Sequence, residues 1–279
     1  MTEKHPLGVK DGIRRPSLTS VDKAHAGSKE PFCIMQKRIC DGDHKGSEIP
    51  AAGAIQKLCD KMNEREKAVI FDMDGVLLDS MKYHALSFKR ALNEIGIDIN
   101  EKSVYKLEGK GAEDTIVHLL RKEGMEPEKK IVEKLVGRKR EIFDSINKTE
   151  PFPGVKKLLD SLGVRFKLAL VTGSTRGNVE GFLEKYFDNV FDVVVAGEDT
   201  EDKKPDPGPY LHCLEKLGSE AQECLVVENA PLGVKSAKNA GIECWAVATY
   251  LDGDLLREAG ADEVFRNHNK MMERFEELL

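Results

Sequence analysis

The sequence has 279 residues, of which 40% are hydrophobic and 33% charged, and its 43 Lys and Arg against 49 Asp and Glu give a formal net charge of −6. This acidic balance argues against a nucleic-acid-binding protein, and without a run of about 18 apolar residues no membrane-spanning helix is expected. Six cysteines with no C-x-x-C pair are too few for a disulfide scaffold, so we expect free thiols and a cytoplasmic location.

The first part of the chain, residues 1–66, differs from the rest. It shows no sustained helical or alternating apolar pattern and is rich in Lys, Asp, Gly, Ser and Pro. Such a segment cannot bury much apolar surface, so we expect a disordered or loosely ordered N-terminal extension. It also lacks the apolar core of a signal peptide.

From residue 67 onward, short apolar runs rich in Val, Ile or Leu alternate with stretches of helical period. The runs predict strands at residues 68–71, 167–171, 191–196, 224–227 and 244–248. The helical stretches between the later runs cover residues 178–186, 209–217 and 233–240. Apolar strands alternating with helices are typical of a parallel sheet covered on both faces, so the predicted fold is an α/β, Rossmann-like core. In such sheets ligands bind beyond the carboxyl ends of the strands.

One interval interrupts this alternation, because residues 81–150 contain helical patterns and no good strand. Three helices are predicted there, and their apolar positions are Tyr83, Leu86, Leu92 and Ile95 in the first, Ile116, Leu119 and Leu120 in the second, and Ile131, Leu135 and Ile142 in the third. We therefore predict a core formed by residues 67–80 and 151–279, with residues 81–150 inserted as a helical domain.

The clearest chemical signal is Asp72-Met73-Asp74-Gly75, which directly follows the first predicted strand. Two carboxylates at the end of an apolar strand are poorly solvated unless a cation is present. A carboxyl with an ordinary pKa of about 3.9 is ionised near neutral pH, so Asp72 is a candidate nucleophile or metal ligand. Gly75 allows the backbone to turn away at once.

Four motifs in this order resemble those of the haloacid dehalogenase-like (HAD) superfamily. They are Asp72-x-Asp74-Gly75 after the first strand, Thr172-Gly173-Ser174 after the second, Lys204 in the segment Lys203-Lys204-Pro205-Asp206-Pro207, and Glu228-Asn229 after the fourth strand. The helical insert is similar to the cap domain that many members carry between the first and second motifs.

The resemblance implies a role for each matching residue. Asp72 would attack phosphorus and form an aspartyl-phosphate, and Asp74 would act as general acid and then as general base. Thr172 and the amide of Gly173 would bind the phosphoryl oxygens. Lys204 would neutralise the charge on the phosphoryl group and keep Asp72 ionised.

The resemblance also implies a Mg²⁺ ion as cofactor, held by Asp72, Asp74, Glu228 and Asn229. The fourth motif usually carries a second carboxylate, whereas this chain has Asn229. An amide oxygen can still bind Mg²⁺ but contributes no negative charge, so metal affinity could be lower or Glu228 could do more of the work. A non-catalytic regulator that binds phosphate or metal remains an alternative from a different functional class.

The region around Asp79–Ala85 is similar to β-phosphoglucomutases and related sugar phosphatases. Mutases place basic residues in the cap loop near Glu108 and Ala112 to hold a second phosphate, and here only Lys110 is positive. This favours a phosphatase acting on a sugar phosphate, a polyol phosphate or phosphoglycolate, with β-phosphoglucomutase as the alternative. The weaker candidates for substrate contact are His84, Lys110, Ser174 and Arg176.

The expected partner is thus a small phosphorylated metabolite, with no nucleic acid and no membrane. The expected assembly is a monomer or a homodimer.

Overall fold

The computed structural model describes residues 67–279, and the predicted extension at residues 1–66 lies outside the described residues. The described part contains one six-stranded sheet in the order β3-β2-β1-β4-β5-β6, with every neighbouring pair parallel. The strands are β1 Ala68–Phe71, β2 Lys167–Val171, β3 Val193–Val195, β4 Cys224–Glu228, β5 Glu243–Val247 and β6 Glu263–Phe265.

Strand β1 lies in the centre of the sheet, and all four of its residues are buried. Because side chains alternate along a strand, Val69 and Phe71 pack into one apolar cluster and Ala68 and Ile70 into another on the opposite face. Helices cover both faces: α5 Val155–Leu162, α6 Arg176–Tyr186, α7 Gly208–Leu217, α8 Pro231–Asn239, α9 Gly253–Glu258 and α10 His268–Glu276. The predicted Rossmann-like α/β core is confirmed.

Two details of the sheet differ from the prediction. Strand β6 was not predicted, because its three residues begin with Glu263 and form no apolar run. Strand β3 covers three residues rather than the predicted range 191–196.

Between β1 and α5 the chain forms four helices. They are α1 Met81–Asn93, α2 Glu101–Tyr105, α3 Ala112–Lys122 and α4 Lys129–Ile146. The five-residue helix α2 was not predicted. Helix α1 buries Leu92 as predicted, but its other buried apolar residues include Ala85 and Phe88, while Leu86 is half-buried and Ile95 is exposed beyond the helix end.

These four helices share an apolar cluster of their own, which also includes Leu251 from the loop after β5. All described residues belong to one compact unit of the chain, so the boundaries 81–150 stay a prediction. Among residues 67–279, no helix is both long and apolar enough to cross a membrane. Cys213, Cys224 and Cys244 are buried free thiols.

Candidate active site

Polar side chains follow three neighbouring strands at the carboxyl edge of the sheet. Asp72 comes directly after β1, Thr172 directly after β2, and Glu228 is the last residue of β4. Because these strands are adjacent and parallel, their carboxyl ends lie side by side. The cavity beside them, about 120 Å³ in volume, is lined by core and insert together, including Asp74, Ser174, His84, Glu108, Lys110 and Lys139.

Lys204 joins two buried carboxylates below this cavity. Its Nζ donates to Asp72 Oδ1 at 2.6 Å, to Glu228 Oε1 at 2.6 Å and to the carbonyl oxygen of Val171 at 3.2 Å. Burial raises the pKa of Asp72 to about 8; Lys204 opposes this shift, while Glu228 and Asp74 add to it. The expectation of an ordinary, ionised Asp72 near neutral pH is therefore wrong for the protein alone, because Lys204 does not fully offset the burial. The two carboxylates raise the pKa of Lys204 despite its burial, so the lysine stays charged and orients Asp72.

The neighbouring Lys203, which the sequence motif does not select, has a different environment. Its Nζ donates to the backbone carbonyls of Gly197 and Thr200, at 2.6 Å for Gly197. The structure therefore brings Lys204 to the carboxylates and directs Lys203 to the loop after β3.

Asp74 is held by three side chains around the cavity. Ser80 donates to its Oδ1 at 2.5 Å, Ser174 donates to its Oδ2 at 2.7 Å, and His84 Nε2 lies 3.5 Å from Oδ1. Ser80 is the N-cap residue of α1 but makes no side-chain cap bond, because its hydroxyl binds Asp74 instead. Burial alone would raise the pKa of Asp74, but His84 and the two hydroxyls bring it below its ordinary value.

His84 is in turn contacted by Lys139 of helix α4. Lys139 Nζ lies 2.9 Å from His84 Nδ1, and since a lysine only donates, the other nitrogen of the ring carries the proton that faces Asp74. The ring of His84 stacks on Phe143 at 4.2 Å. Lys139 Nζ also lies 5.0 Å from the ring centre of Phe88 and 4.9 Å from that of Phe143. Lys139 and Phe143 of helix α4 thus fix the orientation of His84 toward Asp74.

A Lys139→Met variant should show a changed pH dependence of stability. Burial lowers the pKa of Lys139 from 10.5 to about 8, so between these values the unfolded chain binds more protons and the wild type gains stability as pH rises. Relative to the variant, the wild-type free energy of unfolding should rise by about 2–3 kcal/mol from pH 7 to pH 10, measured by urea denaturation. The control is Lys134→Met, which changes an exposed lysine on the same helix. Its free energy of unfolding should change with pH as that of the wild type does. The same pH dependence of the unfolding free energy in Lys139→Met and in the wild type would contradict a pKa lowered by burial.

The remaining predicted residues divide into two groups. Thr172, Gly173, Ser174 and Lys110 line the cavity, and a methyl group at Gly173 would come within 3.1 Å of the carbonyl oxygen of Gly109 in the cap loop. Arg176 pairs with Asp199 and is not among the residues that line the cavity.

The four predicted metal residues differ in how their oxygens are used. Both oxygens of Glu228 accept protein hydrogen bonds, from Lys204 and Tyr210 to Oε1 and from the amides of Asn229 and Ala230 to Oε2. By contrast, Asp72 Oδ2 and Asn229 Oδ1 are buried without a partner. Buried oxygens of this kind call for a hydrogen-bond donor or a cation.

The residues present fit a hard, oxygen-binding cation such as Mg²⁺. Within residues 67–279, no group of three His, Cys, Asp or Glu side chains is spaced to hold a metal by itself. A cation at this site would therefore need the amide oxygen of Asn229 as well as the carboxylate of Asp72.

Glu108 of the cap loop is the main residue of the site that sequence reasoning did not assign. It lines the cavity, and its Oε2 accepts a hydrogen bond from Asn229 Nδ2 at 2.9 Å. Burial raises its pKa well above the ordinary value, and the charges of Asp72 and Glu228 add to this shift. The sequence offered one signal for Glu108, which is that an acidic residue stands where mutases have a basic one. Ser80, Lys139 and Tyr210 were also missed, and for them the sequence carries no comparable signal.

At the carboxyl edge of this parallel sheet, two aspartates, a buried lysine and a helical insert lie together. Residues 69–247 match the family model for haloacid dehalogenase-like hydrolases. The chain is 34% identical over 203 residues to a phosphorylated carbohydrates phosphatase of Thermotoga maritima, covering 70% of this chain and 92% of that protein.

Two further similarities agree with this match. The chain is 31% identical over 182 residues to a phosphoglycolate phosphatase of Aquifex aeolicus, covering 63% of this chain and 81% of the relative. A solved structure of a provisional β-phosphoglucomutase from Bacteroides vulgatus superposes with a TM-score of 0.71 at 32% identity, covering 81% of this chain and 95% of that one.

The chain belongs to the haloacid dehalogenase-like hydrolase family. The predicted enzyme class, a phosphoric monoester hydrolase, agrees with these relatives.

Proposed function

We propose that the protein is a Mg²⁺-dependent phosphatase that hydrolyses a small phosphomonoester through an aspartyl-phosphate on Asp72. The observation that carries this proposal is the pair of aspartates at the end of the central strand. Both line the cavity, one fixed by Lys204 and the other by Ser80 and Ser174.

The proposed reaction assigns one task to each residue. Asp72 attacks phosphorus with the carboxylate that Lys204 orients, and Lys204 offsets negative charge on the transferring group. Thr172 and the amide of Gly173 bind phosphoryl oxygens. Asp74 gives a proton to the leaving oxygen and then takes one from the water that hydrolyses the aspartyl-phosphate.

The lowered pKa of Asp74 favours its base form before substrate binds. A phosphate dianion placed beside it would raise that pKa, because like charges disfavour ionisation, and would thereby favour the acid form needed in the first step.

Bound Mg²⁺ would supply positive charge to the phosphoryl oxygens. Asp72 and Asn229 have buried oxygens free for it, and the backbone carbonyl of Asp74 is a further candidate ligand. Glu228, whose oxygens are already engaged, would act mainly by holding Lys204.

The proposed substrate is a sugar phosphate, a polyol phosphate or phosphoglycolate. Relatives named for phosphorylated carbohydrates and for phosphoglycolate support this range. The cavity of about 120 Å³ is smaller than the roughly 300–1,000 Å³ typical of sites for drug-sized ligands. Lys110, Lys139 and Arg140 line its cap side and give it basic groups for a small anionic substrate.

The alternative is β-phosphoglucomutase, the activity provisionally ascribed to the Bacteroides vulgatus neighbour. A mutase must hold the second phosphate of a bisphosphate, and the cap loop here presents the carboxylate of Glu108 to the cavity. Repulsion between that carboxylate and a second phosphate favours the phosphatase.

A phosphate-release screen over phosphorylated metabolites tests the proposed activity. We expect at least one small monoester to be hydrolysed with stoichiometric phosphate. Conversion of β-glucose 1-phosphate without net phosphate release would instead establish the mutase.

Metal removal should abolish turnover. After treatment with a chelator, activity should fall to background and return with Mg²⁺. Ca²⁺ should not restore it and should inhibit at fixed Mg²⁺, because Ca²⁺ takes more oxygen ligands at longer distances. Full activity in the chelated enzyme, or a comparable rate with Ca²⁺, would contradict the proposed metal dependence.

A cytoplasmic location is also proposed. It is supported by the buried free thiols of Cys213, Cys224 and Cys244, which suit a reducing compartment.

A further inference from the structure

Two departures from the family pattern meet in the folded chain. Asn229 stands after β4 where a second carboxylate is usual, and Glu108 stands in the cap loop where mutases have a basic residue. These residues are 121 positions apart, and Asn229 Nδ2 donates to Glu108 Oε2 at 2.9 Å. An amide can donate to that carboxylate, whereas an aspartate at 229 would repel it.

After this bond is made, each partner has one oxygen left over. Glu108 Oε1 and Asn229 Oδ1 are both buried and without a hydrogen-bond partner, as is Asp72 Oδ2. Burying an unsatisfied oxygen is costly, so each of these three oxygens, all in residues that meet at the carboxyl edge of the sheet, is expected to take a partner. In their ionised forms the two carboxylates only accept, as the amide oxygen does, so a cation or a hydrogen-bond donor would satisfy all three oxygens.

Two glycines allow the cap loop that carries Glu108 to lie close to Asn229 and Lys204. Gly75 and Gly109 both have positive φ angles, of 85° and 94°. A methyl group on Gly75 would overlap Asn229 and lie 3.3 Å from Glu108 Oε1, and one on Gly109 would come within 2.9 Å of the Lys204 side chain. The two glycines thus allow the cap loop to reach the buried carboxylates.

The local charges also favour a cation. The carboxylates of Asp72 and Glu228 share the ammonium group of Lys204, and Glu108 is outside these two contacts. Glu108 has no cationic partner among its described hydrogen bonds, because its contact is the neutral amide of Asn229.

We propose that Glu108 is a cap-borne ligand of the divalent cation and that, with Asn229, it replaces the second carboxylate of the usual core motif. This inference rests on the proposed metal dependence and adds a consequence: full metal affinity requires the closed cap. By reciprocity, binding of the cation favours closure of the cap loop.

The test measures Mn²⁺ binding to the full chain by electron paramagnetic resonance, without substrate. Hydrogen exchange of the amides at residues 107–111, with and without Mn²⁺, reports cap closure. For Glu108→Gln we expect the Mn²⁺ dissociation constant to rise by at least about tenfold and the Mn²⁺-dependent protection of the loop to disappear. Glu113→Gln, an exposed glutamate on the same insert, is the matched control and should behave as wild type.

A double variant moves the carboxylate back to the core. Glu108→Gln with Asn229→Asp should recover Mn²⁺ affinity relative to Glu108→Gln alone, while loop protection by Mn²⁺ stays lost. Unchanged exchange in strand β1 shows in each variant that the core is folded.

The outcomes separate this inference from the proposed function. If the wild type binds Mn²⁺ and Glu108→Gln binds it equally well, the cap ligand is overturned while the metal-dependent phosphatase stands. If the wild type binds no Mn²⁺, both are overturned.

Discussion

Replacing Asp72 with Asn should lower phosphate release by at least about 1,000-fold, equivalent to about 4 kcal/mol of transition-state stabilisation. The isosteric amide keeps the shape of the side chain but cannot attack phosphorus. The measurement is the initial rate of phosphate release at saturating substrate. Asp188→Asn, which changes an exposed aspartate, is purified in parallel and should keep the wild-type rate.

The same variant should remain at least as stable as the wild type. The pKa of Asp72 is raised to about 8 in the folded chain, so near neutral pH folding favours its protonated form and the wild type loses stability as pH rises from about 4 to 8. The neutral amide of Asp72→Asn does not titrate, so the variant should not lose this stability. Residual activity close to wild type, free of contaminating phosphatase, would remove Asp72 from the role of nucleophile.

Replacing Lys204 with Met should have the largest effect on stability. It leaves the carboxylates of Asp72 and Glu228 buried without their shared cation, a change that typically costs about 3–5 kcal/mol. We expect this loss in the free energy of unfolding near pH 8, together with at least about 100-fold lower turnover. The stability loss should shrink toward pH 5, because Asp72, whose pKa burial raises to about 8, is then protonated and needs no counter-charge.

Lys203→Met is the matched control, since it removes the adjacent lysine and only its bonds to backbone carbonyls. It should cost about 1 kcal/mol and leave turnover nearly unchanged. Equal losses in the two variants, or a Lys204→Met loss that does not depend on pH, would contradict the buried charge network.

The sheet and the motifs at its edge could be predicted because their signals are local. An apolar run ending in Asp72-x-Asp74-Gly75 marks both a strand and its carboxyl end, and the other motifs follow strands in the same way. Strand β6 could not be found because its three residues begin with Glu263 and form no apolar run, and helix α2 because five residues are too few to show a period.

The contacts between cap and core were not predictable by the same means. The bond between Asn229 and Glu108 joins distant positions, and each residue looked only like a departure from a pattern. Lys139 is one of several lysines on helix α4, and nothing in its neighbours shows that it is the one packed against Phe88 and Phe143. Such residues are selected by tertiary packing rather than by local sequence.

The central claim is that Asp72 carries the phosphoryl group during turnover. The most direct measurement quenches the enzyme with acid in the steady state, treats the precipitated protein with borohydride in dimethyl sulfoxide, and analyses the peptide that contains Asp72 by mass spectrometry. Borohydride reduces an acyl phosphate to an alcohol, so the account predicts homoserine at position 72, and none in Asp72→Asn. A wild-type enzyme that turns over rapidly, with Asp72 recovered unmodified and reduction found at no other carboxylate, would contradict it.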